Sequence, residues 1–175
     1  MINSAKKDID WDAPKINIDV TKPIQANNDN IKTIIKQAVK KLGNDADLNF
    51  IDVSKVTNME SVFETIKFNG DISKWDVSHV TNMNNMFGNS EFNGDISSWD
   101  VSNVKYMKKL FIFSPFNQDI SKWDVSNVKD MSDMFNHCLF NKNISDWDVS
   151  NVTDMSYMFE GSGFKGNISN WDVLS

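Results

Sequence analysis

The chain has 175 residues, of which 40% are hydrophobic, so one domain can bury a sizeable core. It carries a net charge of −6, has no arginine and has a single cysteine, Cys138, which argues against nucleic-acid binding, an internal disulfide and a zinc site. No apolar run approaches about eighteen residues and the N-terminus lacks the apolar stretch of a secretory signal, so we expect neither a membrane span nor an export signal.

The first 26 residues are predicted to form an N-terminal arm that is partly extended. Ile16, Ile18 and Val20 alternate with polar residues between two prolines, which is typical of a strand or an extended segment. Residues 1–12 lack such a pattern, and we expect them to be disordered.

A capping helix is predicted within residues 27–47. In DNIKTIIKQAVKKLG, residues 29–43, apolar side chains recur at helical spacing and form one stripe, made of Ile31, Ile34, Ile35, Ala38 and Leu42. Residues 28–30 are asparagine and aspartate and offer N-caps, Lys40 and Lys41 complement the helix dipole, and Gly43 follows as a stop signal. Because an open repeat array exposes apolar surface at its ends, we expect this helix to cover the first repeat.

Residues 48–175 repeat with a period of 24 residues, in about five units. Tryptophan recurs at this spacing without an insertion, at Trp75, Trp99, Trp123, Trp147 and Trp171. Isoleucine, valine and methionine recur in the same register. Self-similarity of this length indicates a solenoid, in which each unit buries its apolar face only against its neighbours. We expect the tryptophans to be a buried structural ladder rather than an exposed platform for sugars or bases.

Each unit is predicted to contain one strand and one short helix. In ISKWDVS, residues 120–126, apolar and polar residues alternate, which indicates a strand with one buried face. In VKDMSDMF, residues 128–135, apolar residues recur every three or four positions, which indicates about one and a half turns of helix. Asn69-Gly70 and Asn93-Gly94 predict return loops with positive φ. The predicted fold class is α/β, a leucine-rich-repeat-like right-handed solenoid with a parallel sheet, one strand and one short helix per unit, and an N-terminal helical cap.

The repeat resembles two known classes. The spacing of Ile120, Trp123 and Val125 is similar to the core of leucine-rich repeats, and the string FNGDISSWDVSNVKYMKKLF resembles the repeat of BspA-like, mycoplasma-lipoprotein-associated bacterial surface proteins. Val128 stands where leucine-rich repeats place a buried asparagine, so their asparagine ladder is not expected there. The resemblance implies a solenoid used for binding, often in adhesion at a cell surface, with no catalytic residues to carry over.

Aspartate follows the tryptophan in each unit, and this structural column includes Asp76, Asp100, Asp124 and Asp148. Each carboxylate can accept hydrogen bonds from the serine and N–H groups of the next turn, or the column can hold calcium. We favour the first interpretation, because one unit offers too few carboxylates in one loop for a calcium site. No catalytic motif occurs, and His79 and His137 occupy different slots of the repeat, so we expect no enzyme, cofactor or metal.

Function is expected where the units differ, because a core ladder constrains residue identity and a binding face does not. The third unit departs most and is locally basic and aromatic. The candidate partner-binding residues are Lys74, Lys122, Tyr106, Lys108, Lys109, Phe113 and Tyr157. Exposed aromatic residues beside lysine are typical of protein contacts, and a bulky loop packed on itself gives the same pattern.

The sequence therefore predicts a non-catalytic interaction or adhesion module with a protein or glycan partner. The alternative is an intracellular acidic inhibitor or immunity-type protein that covers a basic surface, and a calcium-dependent array is a third hypothesis. The absence of a signal peptide favours the cytoplasm, and the resemblance favours the cell surface. Trp171 would lie at an open end, which could form a homodimer, be covered by a partner, or fray.

Overall fold

A computed structural model describes residues 15–173. Within this range the chain has one helix and one two-stranded parallel sheet, in the order β1 (Ile24–Gln25), α1 (Ile31–Leu42) and β2 (Ile51–Asp52). β1 and β2 pair in parallel over both of their residues. The secondary structure is thus a mixture of α and β. The disorder predicted for residues 1–12 concerns residues outside the described range.

The predicted helix is confirmed as α1. Its apolar stripe is largely buried and belongs to one continuous core with the repeats. The N–H of Gly43 donates to the carbonyl of Val39 at 2.9 Å, and Gly43 has a φ of 97°, which favours glycine. Asn30 is the N-cap residue, and its side chain accepts a hydrogen bond from the N–H of Asn27 rather than from the helix. Over residues 15–173, no helix has both the length and the apolar character to cross a membrane.

Residues 15–21, for which the pattern predicts a strand or an extended segment, form no strand. The carboxylate of Asp19 accepts hydrogen bonds from both the N–H and the hydroxyl of Thr21, and these local bonds turn the chain. Ile18 is nevertheless buried, because this stretch lies against α1, where Lys41 Nζ donates to the Ile18 carbonyl at 2.7 Å. The alternating residues therefore pack without making a strand, and β1 begins only after Pro23.

From Leu48 onward the chain forms 24-residue coils that stack in register. Parallel bridges join equivalent residues of successive coils, and the bridged residues are Asn58, Asn82, Tyr106, Asp130 and Asp154. Ring centroids in the main phenylalanine column are 5.4–5.8 Å apart, and its members are Phe63, Phe87, Phe111, Phe135 and Phe159. One sequence repeat is therefore one coil of backbone. The handedness of the coils and the domain boundaries after residues 26 and 47 stay predictions.

Buried tryptophans tie each coil to the preceding one. Four are only 4% exposed, namely Trp75, Trp99, Trp123 and Trp147. Each indole Nε1–H donates to a backbone carbonyl 27 residues earlier, at 3.0–3.2 Å. A buried indole N–H needs such a partner, so each tryptophan both fills a coil and links it to its neighbour. Trp171 makes the same bond to Ile144 but is only half-buried.

The prediction of a strand in each unit is wrong, although the alternation of buried and exposed side chains is observed. Over residues 120–126 burial alternates as expected, with Trp123 buried and Asp124 exposed. The carboxylate of Asp124 accepts hydrogen bonds from the N–H and the hydroxyl of Ser126, and the N–H of Trp123 donates to the Ile120 carbonyl. Aspartate and serine side chains here offer the backbone local partners in place of a strand ladder, and the chain turns.

The predicted short helix is also wrong. Over residues 128–135, alternate N–H groups donate to carbonyls of the next coil, as Asp133 does to Ser156 at 2.9 Å. Asp133 has a φ of 57°, in the left-handed region, which no right-handed helix admits. Tight turns such as the bond from the Met134 N–H to the Met131 carbonyl recur within this stretch. These turns explain why apolar residues recur at helical spacing without a helix.

An asparagine ladder is present, although not at Val128, which is fully buried. The side-chain Oδ1 of each asparagine accepts the backbone N–H of the residue 24 positions later, at 2.8–2.9 Å, and the accepting residues are Asn69, Asn93, Asn117 and Asn141. The positive φ predicted for the Asn-Gly pairs is not observed. Gly70 is required for another reason, since a Cβ there would overlap the carbonyl oxygen of Ala46.

Candidate functional site

One side of the coil stack, here called the wall, is built from hydrogen bonds between coils. It consists of residues 58–65, 82–89, 106–113, 130–137 and 154–161. In each layer four N–H groups of one coil donate to four carbonyl groups of the next coil, at 2.7–3.0 Å. Because these bonds fix the backbone, the outward side chains of the wall are held at defined positions.

Two outward columns of the wall have left-handed backbone. The first has φ of 55–58° and contains Ser61, Asn85, Lys109, Asp133 and Tyr157. The second has φ of 50–62° and contains Thr65, Asn89, Phe113, His137 and Gly161. This conformation is unfavourable by about 1–2 kcal/mol except for glycine, asparagine and aspartate. The coil at 82–89 places asparagine in both columns, which is the low-strain choice.

The coil at 106–113 places large or basic side chains where the coil at 82–89 has asparagine. Column by column, Tyr106 replaces Asn82, Lys108 replaces Asn84, Lys109 replaces Asn85 and Phe113 replaces Asn89. Tyr106 is 42% exposed and Phe113 is 53% exposed. These aromatic rings therefore face solvent, and Phe113 does so from a strained backbone position.

Phe113 belongs to an exposed cluster that extends over two coils. Its ring stacks on His137 of the next coil, with centroids 4.8 Å apart. Gly161 in the following coil makes room for that imidazole, because a Cβ there would lie 2.7 Å from the ring. Leu139 is 65% exposed and lies two residues beyond His137. Sequence reasoning missed His137 as a member of this surface, although the residue type changes at this position from coil to coil.

Polar contacts fix the orientation of His137. Its Nδ1 lies 2.6 Å from Asn136 Oδ1. The Nδ2 of Asn136 donates to Asp133 at 2.8 Å and to Glu160 at 3.3 Å. The imidazole is thus held between the Phe113 ring and the Gly161 backbone as part of a fixed surface.

The predicted partner-binding residues fall into two groups. Five lie on the wall, namely Tyr106, Lys108, Lys109, Phe113 and Tyr157, and Tyr157 is 66% exposed. Lys74 and Lys122 are exposed in the turns that precede Trp75 and Trp123, outside the wall. The structure therefore assembles most of the predicted set on one surface and places two lysines elsewhere.

The aspartate column is engaged in local hydrogen bonds. Each carboxylate accepts the N–H of the serine two residues later at 3.0–3.1 Å and its hydroxyl at 2.6 Å, in Asp76, Asp100, Asp124 and Asp148. The serine hydroxyl and then its N–H hold the pKa of Asp76, Asp100 and Asp148 below the ordinary value. In the described part of the chain, no three His, Cys, Asp or Glu side chains lie close enough to bind one metal ion.

Cys138 lies beneath the exposed cluster. It is buried, and burial raises the pKa of its thiol. Its Sγ donates to the carbonyl of Phe116 at 3.3 Å. The residue therefore acts as a packed side chain of the core.

The last described coil has an open apolar side. Phe159, Trp171 and Val173 help to line a cavity of about 250 Å³ there. The N–H groups of Met155 and Phe159 occupy the positions of wall donors, and they have no acceptor among residues 15–173. This edge is therefore rich in hydrogen-bond donors as well as apolar.

Comparisons with known proteins agree with a repeat architecture. Neither a curated protein nor a solved structure matches the chain. One family matches it twice, over residues 29–138 and again over residues 112–175. A double match is expected when the same unit recurs along the chain. Since the two matches together span residues 29–175, the chain belongs to the family described as Mycoplasma protein of unknown function, DUF285.

Proposed function

We propose that this chain is a non-catalytic protein-interaction module whose contact surface is the wall around residues 106–113. The observation that carries the proposal is Phe113, a large exposed ring on left-handed backbone, where the neighbouring coil has Asn89. An asparagine there would fold with less strain. Strained residues persist at sites where the exposed side chain serves binding, so Phe113, and Tyr106 on the same coil of the wall, are best explained as partner contacts.

The coil stack supports this role as a scaffold. We regard it as a repeat solenoid, in which each coil contacts only its neighbours while the wall bonds keep the outward columns in register. The resemblance to BspA-like surface repeats supports adhesion to a protein or glycan as one form of the proposed function.

A second candidate is an acidic inhibitor of a basic partner. It is favoured by the carboxylates of Asp100 and Asp148, which are exposed on the turns after the tryptophans, away from the wall. Because their pKa values are held below the ordinary value, these groups carry negative charge at neutral pH. Such a row would attract a basic surface.

A pull-down with matched variants tests the first candidate. The wall variant Tyr106→Asn/Phe113→Asn/Tyr157→Asn gives each column the asparagine of the coil at 82–89. The control variant Lys74→Ser/Lys122→Ser gives two exposed turn positions the serine found at Ser98. Proteins retained by wild type are identified by mass spectrometry, purified and titrated against all three proteins.

We expect one protein to bind wild type and control equally, and to bind the wall variant at least about tenfold more weakly, because truncating a central aromatic contact costs about 2 kcal/mol or more. Melting curves establish that the variants are folded. Equal binding by the wall variant would overturn the proposal. Loss of binding in Asp76→Asn/Asp100→Asn/Asp148→Asn, which keeps the turn acceptors and removes the charges, would favour the acidic inhibitor.

A further inference from the structure

Two lysines lie in adjacent coils at the edge of the wall. Lys105 and Lys129 occupy equivalent positions of adjacent coils, and the N–H of Lys129 donates to the Lys105 carbonyl at 2.9 Å. Both side chains are exposed, and neither forms an ion pair within residues 15–173. Like charges placed side by side on neighbouring backbones repel each other. The pair therefore lowers the stability of the fold, and binding of an anionic group would account for its presence.

The other coils show which residue favours folding in this column. Threonine stands there in three coils, as Thr57, Thr81 and Thr153. The hydroxyl of Thr81 donates to the Thr57 carbonyl at 3.3 Å, and that of Thr153 donates to the Lys129 carbonyl at 3.0 Å. Threonine thus adds a hydrogen bond between coils. At residues 105 and 129 this bond is absent and two positive charges stand in its place.

The lysine pair is part of a small basic site. On the coil of Lys105, the exposed Tyr106 is the next residue, and Lys108 and Lys109 follow it. A carboxylate stands beside the site, since the backbone of Asp130 forms a parallel bridge with that of Tyr106. The negative charge beside the lysines disfavours an extended polyanion.

We propose that this lysine cluster, formed by Lys105, Lys108, Lys109 and Lys129 beside Tyr106, binds a short acidic segment of the protein partner. The inference rests on the proposed function and specifies the chemistry of the partner. Carboxylates of the segment contact the lysines, and an apolar side chain of the segment covers Tyr106. A nucleic acid fits less well, because the chain has no arginine for bidentate phosphate contacts.

Fluorescence anisotropy with a fluorescein-labelled hexaglutamate peptide tests the inference. The variant Lys105→Thr/Lys129→Thr gives both positions the residue of the other coils. We expect it to bind the peptide about tenfold more weakly than wild type, as two lost exposed charge contacts imply. We also expect an equal or higher melting temperature, because the repulsion is removed and the threonine hydroxyls can donate. The control Lys74→Ser/Lys122→Ser removes the same charge elsewhere and should bind within about twofold of wild type.

Several results would overturn the inference. Equal weakening in the two double variants would mean that only net charge matters. Binding of wild type to hexaglutamate no tighter than about 1 mM at low salt, or tighter binding to a twelve-residue oligothymidylate than to the peptide, would exclude an acidic peptide site. If the peptide fails while the wall variant still loses its captured partner, this inference fails and the proposed function stands. If the wall variant keeps its partner, the proposed function fails.

Discussion

Replacing Phe111 by alanine should weaken the coil stack at its centre. Phe111 is fully buried, and its ring centroid lies 5.7 Å from Phe87 and 5.8 Å from Phe135 in the adjacent coils. Within its own coil it lies 3.9 Å from the ring of Phe116. The substitution therefore removes contacts to both neighbouring coils and leaves a cavity between them.

The expected loss follows from these contacts. Truncating a buried phenylalanine to alanine costs about 3–5 kcal/mol, of which each aromatic pair accounts for about 0.5–1.5 kcal/mol. Phe159 is the matched control, because it stands in the same column but is half-buried, and within residues 15–173 it has a column neighbour on one side only, Phe135 at 5.8 Å. We therefore expect Phe159→Ala to cost about half as much, about 2 kcal/mol.

Urea denaturation followed by tryptophan fluorescence measures both losses, and amide hydrogen exchange locates them. Because stability in a repeat array is a sum of coil and interface terms, Phe111→Ala should lower protection in its own coil and in both neighbours. Phe159→Ala should lower protection only toward the last coil. If the two variants were equally destabilised, or if Phe111→Ala lost less than about 1 kcal/mol, the column would not be the continuous core described here.

Three further predictions follow from other contacts. Gly70→Ala should cost about 2 kcal/mol or more in urea denaturation because its Cβ overlaps backbone, whereas Gly163→Ala, with nothing within 4 Å of the new Cβ, should stay within about 0.5 kcal/mol of wild type. Phe113→Asn should raise the free energy of unfolding by about 0.5 kcal/mol, since relief of backbone strain exceeds the lost stacking on His137, and a loss above about 1 kcal/mol would contradict this. Serine bonds lower the pKa of Asp76, Asp100 and Asp148 below the ordinary value of 3.8, so their stabilisation is present above that pH and is lost as the pH falls through the folded-state pKa. The urea midpoint should therefore fall between pH 5 and pH 3, and fall less in Asp76→Asn/Asp100→Asn/Asp148→Asn.

The sequence predicted burial better than backbone geometry. Trp123 and Val125 are buried as their alternation indicated, and α1 lies where its apolar stripe and Gly43 indicated. Apolar spacing reports which side chains point inward, and it carries no information on where each N–H donates. Asp124 and Ser126 redirect those donors locally, which single-sequence periodicity cannot register. The unit is therefore a series of turns rather than a strand and a helix.

The candidate site was predicted in part for the same reason. Tyr106, Lys109 and Phe113 stood out because they change between units, and the structure brings them onto one wall. Lys105 and Lys129 also differ from the threonine of the other units, but their mutual repulsion follows only from the stacking of adjacent coils. A repulsive contact between residues 24 positions apart becomes visible only when the coils are superposed.

The wall also limits how the open side of the last coil can meet another protein. The wall bonds donated by residues 59–65, 83–89, 107–113 and 131–137 run from the N–H groups of one coil to the carbonyls of the next, whereas at the edge of the wall Lys129 and Asp154 donate to the preceding coil. Within residues 15–173, the row that includes Met155 and Phe159 therefore presents N–H donors that have no acceptor. Two copies related by a twofold axis would set donor against donor, and each buried unpaired N–H costs about 1–3 kcal/mol. A homodimer through this end would therefore have to rely on the apolar cavity, without wall bonds. A surface with a matching row of carbonyls, such as the opposite edge of a similar coil, would pair the N–H donors and also cover the cavity.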